Sequence, residues 1–277
     1  MSIPKKIHYC WLGTGKMPEN AMICIATWKK VMPDYELVLW DTNRFDINSV
    51  KYVQEAFTAK KWALAADYIR LYAVYNEGGI YLDTDVYVQK RFDDLLKFNF
   101  FTSLERDLTT VPPSSNYYNA FKQNENAGYI NHEMKRYEGF GLQAAVFGSV
   151  AGNQFIKDCM EWYERNNYIL PNGEPLESIV IAPDIYAAIA QSYGFKYISG
   201  FQQLKDNMVI MPADVFPNHI YKTDNAYAVH LCENSWVKNK KQAGKNSFLD
   251  KIKQNNILRA LLGKKKHYHW ETVIKLG

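Results

Sequence analysis

Apolar positions along the chain come in short runs separated by longer amphipathic stretches. The opening IPKKIHYCWLG (residues 3–13) alternates into an apolar stretch that ends at Gly13 and predicts a first strand. Ala21–Val31 has helical spacing and stops before Pro33. Tyr35–Trp40 (YELVLW) predicts a second strand. Lys51–Tyr75, rich in Ala and Leu, predicts one long helix. Gly78-Gly79 ends it, because glycine tolerates the left-handed cap. Ile80–Val88 (IYLDTDVYV) then predicts one buried strand. Ala144–Val150 and Asp158–Asn166 predict another strand-then-helix step, Pro183–Gln191 a helix, and Met208–Met211 and Ala226–His230 two short strands. Val111–Glu138 is polar and rich in Asn and Tyr, which suits a long loop over a site. Strands alternating with helices imply an α/β fold with a largely parallel sheet covered on both faces.

Composition narrows the class. Apolar residues make up 47% of the 277 residues and charged residues 22%, as in a soluble globular chain. With 7 Trp, 20 Tyr and 14 Phe, extensive disorder is excluded. No run of 18 apolar residues predicts a membrane span, and Met1–Tyr9 lacks the apolar core of a secretory signal. Cys10, Cys24, Cys159 and Cys232 form no C-x-x-C pair, so reduced thiols and a cytoplasmic location are expected. There is no internal repeat. The net charge of +4 is uneven: residues 237–277 carry eleven Lys or Arg and two acids, a net of +9 that leaves −5 for the remainder. The expected organisation is therefore one domain over 1–236 and a basic tail over 237–277.

The segment richest in chemistry is Ala66–Val88. Asp83 and Asp85 flank Thr84, and in a strand of period two both carboxylates leave one face. Two like charges that close need a cation, and oxygen donors suit Mg2+ or Mn2+. Asp67 and Arg70 stand three apart and share a helix face. Either they form a surface ion pair, which would stabilise by only about 0.3 kcal/mol, or the Gly78-Gly79 connection lays them beside the carboxylates. In the second case the planar guanidinium orients the acids or holds a phosphate or sugar hydroxyl.

The run AADYIRLYAVYNEGGIYLDTDV resembles the DXD glycosyltransferases of the GT-A fold, in particular the family related to yeast α-1,6-mannosyltransferases and bacterial capsule sugar transferases. More remotely it is similar to the glucosylating domains of large clostridial toxins. IPKKIHYCWLG resembles that family's first strand and HLCENSW (230–236) its C-terminal segment, so the matches span residues 3–236. The resemblance implies a GT-A, Rossmann-like sheet with helices on both faces, followed here by the basic helical tail. It implies that His8, Tyr9 and Trp11 cradle a nucleotide, with a core aromatic as the alternative for Tyr9. Asp67 and Arg70 would contact ribose or donor sugar. Asp83 and Asp85 would hold Mn2+ or Mg2+, with Asp85 the direct ligand and Asp83 bridging to ribose or a metal-bound water. His230 would add a metal ligand from the C-terminal strand, or else be a satisfied core histidine. Glu233, Asn234, Ser235 and Trp236 would close over the diphosphate. ENSW departs from the family's small residue before Ser-Trp, so which of Glu233, Asn234 and Ser235 reaches the metal stays open.

On this reading the chain is a metal-dependent, retaining glycosyltransferase. Asp83, Asp85 and Arg70 are its catalytic candidates, a nucleotide-sugar its donor and a glycan or lipid-linked molecule its acceptor, in bacterial capsule or surface-polysaccharide assembly. Gln143 and Asp184, and more weakly Glu105, are candidate sugar contacts or ordinary polar loop residues. A haloacid-dehalogenase-like phosphatase also places D-x-D after an apolar strand, but Tyr87 stands where that family has Thr or Val and its distal acidic motif is missing. A non-catalytic carbohydrate-binding protein would leave the paired acids idle. In the tail, Ser247 and Asp250 resemble a helix start. Phe248, Ile252, Leu258 and Leu262 form a rough stripe, imperfect because Ile257 and Leu261 lie off it, before Lys264-Lys265-Lys266. That pattern suits peripheral docking to an anionic membrane, or packing on the body. No nucleic-acid-binding fold accompanies the basic run.

Overall fold

The computed structural model describes residues 2–13, 15–107, 141–176, 180–219 and 223–232. Five helices and nine strands concern the site. They are β1 (Lys6–Cys10), α1 (Glu19–Val31), β2 (Glu36–Trp40), α2 (Lys51–Thr58), α3 (Trp62–Glu77), β3 (Gly79–Leu82), β4 (Val86–Val88), β5 (Phe100–Ser103), β6 (Val146–Ser149), α4 (Gln154–Arg165), α5 (Ala182–Ala190), β7 (Gln202–Gln203), β8 (Met208–Met211) and β9 (Ala228–His230).

Among the described residues, seven strands form one sheet in the order β2-β1-β3-β6-β5-β8-β7, and β4 and β9 form a separate two-stranded ribbon. β1 pairs in parallel with β2 and β3, and β5 with β8. β6 and β7 run against the other five. The sheet is therefore mixed but mostly one-directional, the α/β layout expected from the sequence and from the resemblance.

Side chains alternate across the sheet, as the period of two requires. Tyr81, Phe100 and Phe147 enter the core under α2, α3, α4 and α5. Ile80, Leu82, Phe101 and Val146 enter the opposite core with Trp28 and Met32. Helices thus cover both faces. Local chemistry sets the helix ends: Asn153 caps α4 by accepting from the Ile156 N–H at 3.3 Å, and Pro183 opens α5.

Two sequence expectations need correction. The single helix over 51–75 is two, because Lys60 turns left-handed (φ 58°) and starts a new axis at Trp62. The single strand over 80–88 is also two. β3 stops at Leu82, a turn closes with the Val86 N–H donating to the Asp83 carbonyl at 3.0 Å, and β4 leaves the main sheet to pair with β9.

Candidate active site

Parallel strands send their carboxyl ends to one edge of a sheet, where loops build sites. Here that edge collects the segments after β1 (Trp11 onward) and after β3 (Asp83 onward). Beside the start of β6, Asp83 N–H donates to the Ala145 carbonyl at 2.9 Å. α3 runs back from Gly78, so its first turns lie at the same edge.

Asp83 and Asp85 sit in the turn between β3 and β4, not within a strand. Their proximity is a product of the turn and of the ribbon. Val86 pairs with His230 across β4 and β9, and the Leu231 N–H donates to the Asp85 carbonyl at 3.0 Å. The result brings His230 Nε2 to 3.3 Å from Asp85 Oδ1. One ligand atom each from Asp83, Asp85 and His230 falls within 4.8 Å of the others, and all three residues are half-buried. Two carboxylates and an imidazole are a donor set that fits Mn2+ well, and Mg2+ through its oxygens. Burial opposes a charge on His230, but Cys232 and Asp85 outweigh it and raise its pKa well above the ordinary histidine value.

α1 holds the ribbon in place. The Trp28 indole N–H donates to the Val86 carbonyl at 2.7 Å, and Thr27 Oγ1 accepts the Val88 N–H at 3.0 Å.

Asp67 and Arg70 are not a surface pair. They are 6% and 4% exposed, with Arg70 Nη2 2.8 Å from Asp67 Oδ1. Arg70 Nε donates to the Ala66 carbonyl at 3.3 Å and Nη1 to the Ala144 carbonyl at 2.9 Å. Nη2 also stands 3.5 Å from Asp83 Oδ1, which accepts the Tyr81 hydroxyl at 2.7 Å. The guanidinium lies 4.9 Å from the centre of the Tyr81 ring. Burial works against the Arg70 charge, but Asp83, Tyr81 and Asp67 outweigh it and raise the pKa above the ordinary arginine value. Arg70 and Tyr81 thus both engage the same oxygen of Asp83.

The remaining residues separate. His8 leaves the candidate set: it is fully buried, its Nε2 bonds the Gly78 carbonyl at 2.8 Å, and its Nδ1 accepts the Trp40 indole N–H at 3.0 Å. Gln143 is also buried, with Nε2 donating to the Phe216 carbonyl at 3.2 Å and Oε1 accepting from Ala145 N–H at 3.1 Å, so it braces loops. Asp184 is half-buried at the start of α5, where its carboxylate faces the Ile181 N–H at 3.5 Å. Tyr9 packs edge-on to Trp28. Trp11 is half-exposed at the edge, its indole N–H donating to the Gly15 carbonyl at 3.0 Å. Glu233, Asn234, Ser235, Trp236, the loop over 111–138 and the basic tail lie outside the described residues.

Two residues beside these groups carry no signal in the sequence pattern. Tyr81 reads as an ordinary strand residue, and its hydroxyl donates to Asp83 Oδ1 at 2.7 Å. Trp62, 38% exposed, begins α3, and a Cβ on Gly13 would stand 3.4 Å from its ring and 3.9 Å from that of Trp11. Only the break at Lys60, hidden in an Ala- and Leu-rich run, would have drawn attention to Trp62.

Residues 18–102, from the approach to α1 through β5, match the model of the glycosyltransferase sugar-binding region containing a DXD motif. The inositol phosphoceramide mannosyltransferase 3 of Schizosaccharomyces pombe is 32% identical over 101 residues, covering 35% of this chain and 28% of that protein. The chain thus spans less than a third of that relative's length in the matched region. Among solved structures, the PaToxG glycosyltransferase superposes with a TM-score of 0.47 at 19% identity over 70% of each chain. The galactosyltransferase LgtC, in complex with donor and acceptor sugar analogues, gives 0.44 at 14% identity over 93% of this chain and 95% of that one.

Proposed function

We propose that this chain, which carries the DXD sugar-binding region of the glycosyltransferases at residues 18–102, is a metal-dependent, retaining glycosyltransferase that moves a sugar from UDP or GDP to a hydroxyl acceptor. The carrying observation is the convergence of Asp83, Asp85 and His230 at the carboxyl edge of the sheet. Asp83, Asp85 and His230 would hold Mn2+ or Mg2+. When bound, that ion would neutralise charge growing on the departing nucleoside diphosphate.

The protein's own groups have separate tasks. Arg70 and Tyr81 pin Asp83 through one oxygen, so the other points without a search. The Trp11 and Trp62 rings, both against Gly13, offer flat apolar surface on which a nucleobase stacks. Asp67, locked to Arg70, keeps the guanidinium aligned. Ser235 and Trp236 follow His230 by a few residues, and the resemblance assigns them to the diphosphate. Asp184, at the N-terminus of α5, stays a candidate sugar contact.

The acceptor class is a glycan or a lipid-linked sugar. The name of the fission-yeast relative, an inositol phosphoceramide mannosyltransferase, supports a lipid-borne acceptor. A role in bacterial surface-polysaccharide assembly, at the cytoplasmic face of the membrane with the basic tail docked on anionic lipid, rests on the resemblance and the tail's composition. No helix among the described residues is long and apolar enough to cross a membrane.

The test is hydrolysis of UDP- and GDP-sugars with Mn2+. Asp85→Ala is expected to lower turnover about 100- to 1,000-fold, the scale of removing one preorganised electrostatic element. Turnover of simple phosphate esters with inert sugar nucleotides would overturn the reading. So would sugar binding that ignores chelation of the metal.

A further inference from the structure

His230 meets Asp85 through Nε2, at 3.3 Å. For that nitrogen to hold a cation its lone pair must be free, which places the ring proton on Nδ1. Nδ1 faces the Cys232 sulfur at 3.6 Å, and the same sulfur lies 3.8 Å from the His230 carbonyl oxygen. In that tautomer one thiol accepts the Nδ1–H and donates its own S–H to the carbonyl, so both protons have acceptors. The backbone contributes as well. Cys232 adopts a left-handed conformation (φ 51°), uncommon for a residue with a side chain.

We propose that Cys232 is a positioning residue for the metal-binding histidine: it fixes the tautomer and the rotation of His230, and metal loading depends on its free thiol. The inference rests on the metal-dependent reading above and names a group that touches neither ion nor substrate. Outer partners of metal-bound histidines are usually carboxylates or carbonyls, and their loss lowers metal affinity about 10- to 100-fold. A thiol in that place adds chemical sensitivity. Cys10, Cys24 and Cys159 are buried, whereas Cys232 is half-exposed and is the accessible cysteine of the four.

Mn2+ binding to the full chain, followed by the electron paramagnetic resonance of free Mn2+ with and without UDP or GDP, tests this apart from turnover. Cys232→Ala is expected to weaken Mn2+ by about 10- to 100-fold, and Cys232→Ser to recover most of the loss. Methyl methanethiosulfonate, which caps the sulfur as a mixed disulfide, is expected to weaken Mn2+ in the parent protein, reversibly with dithiothreitol, and to leave Cys232→Ser unaffected. Unchanged affinity in Cys232→Ala, with parent-like binding, overturns the inference and leaves the metal site standing. A parent protein that binds no Mn2+ under any condition overturns the metal reading itself. Should Cys232→Ala fail to fold, the capping experiment decides: capped parent protein that keeps its Mn2+ overturns the inference.

Discussion

His8 shows how a residue with functional credentials is spent on structure. Its two ring nitrogens join the carbonyl at the α3–β3 corner to the Trp40 indole on β2. Both bonds require the neutral ring, with the proton on Nε2 and the lone pair on Nδ1. Burial pushes its pKa below the ordinary value of 6.5. Above that value folded and unfolded forms are both neutral. Below it the unfolded chain takes up a proton that the folded ring resists, so stability is lost as pH falls toward the folded pKa. His230 shifts upward, so its contribution changes above 6.5 and is level below it. Between pH 6.5 and 5.5, then, His8 contributes to the slope and His230 does not. Melting temperatures over that interval are expected to fall more steeply in the parent protein than in His8→Gln, whose amide keeps a donor and an acceptor. Equal slopes in the two proteins would contradict the assignment.

At the scale of elements, the corner between α3 and β3 decides where the carboxylates point. Gly78 and Gly79 have φ values of 63° and 119°. A Cβ on Gly79 would meet the Lys6 carbonyl oxygen at 2.9 Å and His8 Nε2 at 3.0 Å. Gly152 also has positive φ (70°), but nothing lies within 4 Å of the Cβ it would carry. Left-handed strain alone costs about 1–2 kcal/mol. Gly152→Ala is expected to lose that amount in urea denaturation, and Gly79→Ala at least about 1 kcal/mol more, because backbone must also shift. Indistinguishable midpoints would mean the corner is not tight. The β4–β9 ribbon is the other deciding element. It carries Asp85 and His230 on facing strands, and its anchor to Trp28 gives α1 a part in the site.

For the whole molecule, the proposed site joins a turn after β3, a ribbon closed by β9, and a helix that supplies Asp67, Arg70 and Trp62. A ligand that grips all three binds only the folded state, so it raises the melting temperature by mass action. Mn2+ with UDP or GDP at about 100 times the dissociation constant adds about 2.7 kcal/mol. That is roughly 5–10 °C for a chain of this size. Combined Asp83→Asn and Asp85→Asn substitution is expected to abolish the metal-dependent part of the shift. A melting temperature that ignores every nucleotide and ion would remove the proposed donor site.

Much of this was legible beforehand. Apolar periodicity located β1, α1, β2, β6, α5, β8 and β9, and the start of β3, to within a few residues, because burial on one face imposes its period on the chain. The D-x-x-R and D-x-D acids were identifiable as residue types whose charges need partners. Three matters were not. The helix break at Lys60 and the strand break at Asp83 are local backbone reversals inside apolar runs, and hydropathy is blind to φ. The distinction between His8, consumed by two internal bonds, and His230, set beside Asp85, depends on what surrounds each ring. The union of Asp85 with His230 joins residues far apart in the chain. Composition and periodicity determined the layers and the supply of charged groups, since those follow from each residue's own affinity for water. Only tertiary structure decided which groups face one another, because hydrogen bonds and metal geometry act over a few ångströms and depend on how distant segments are folded together.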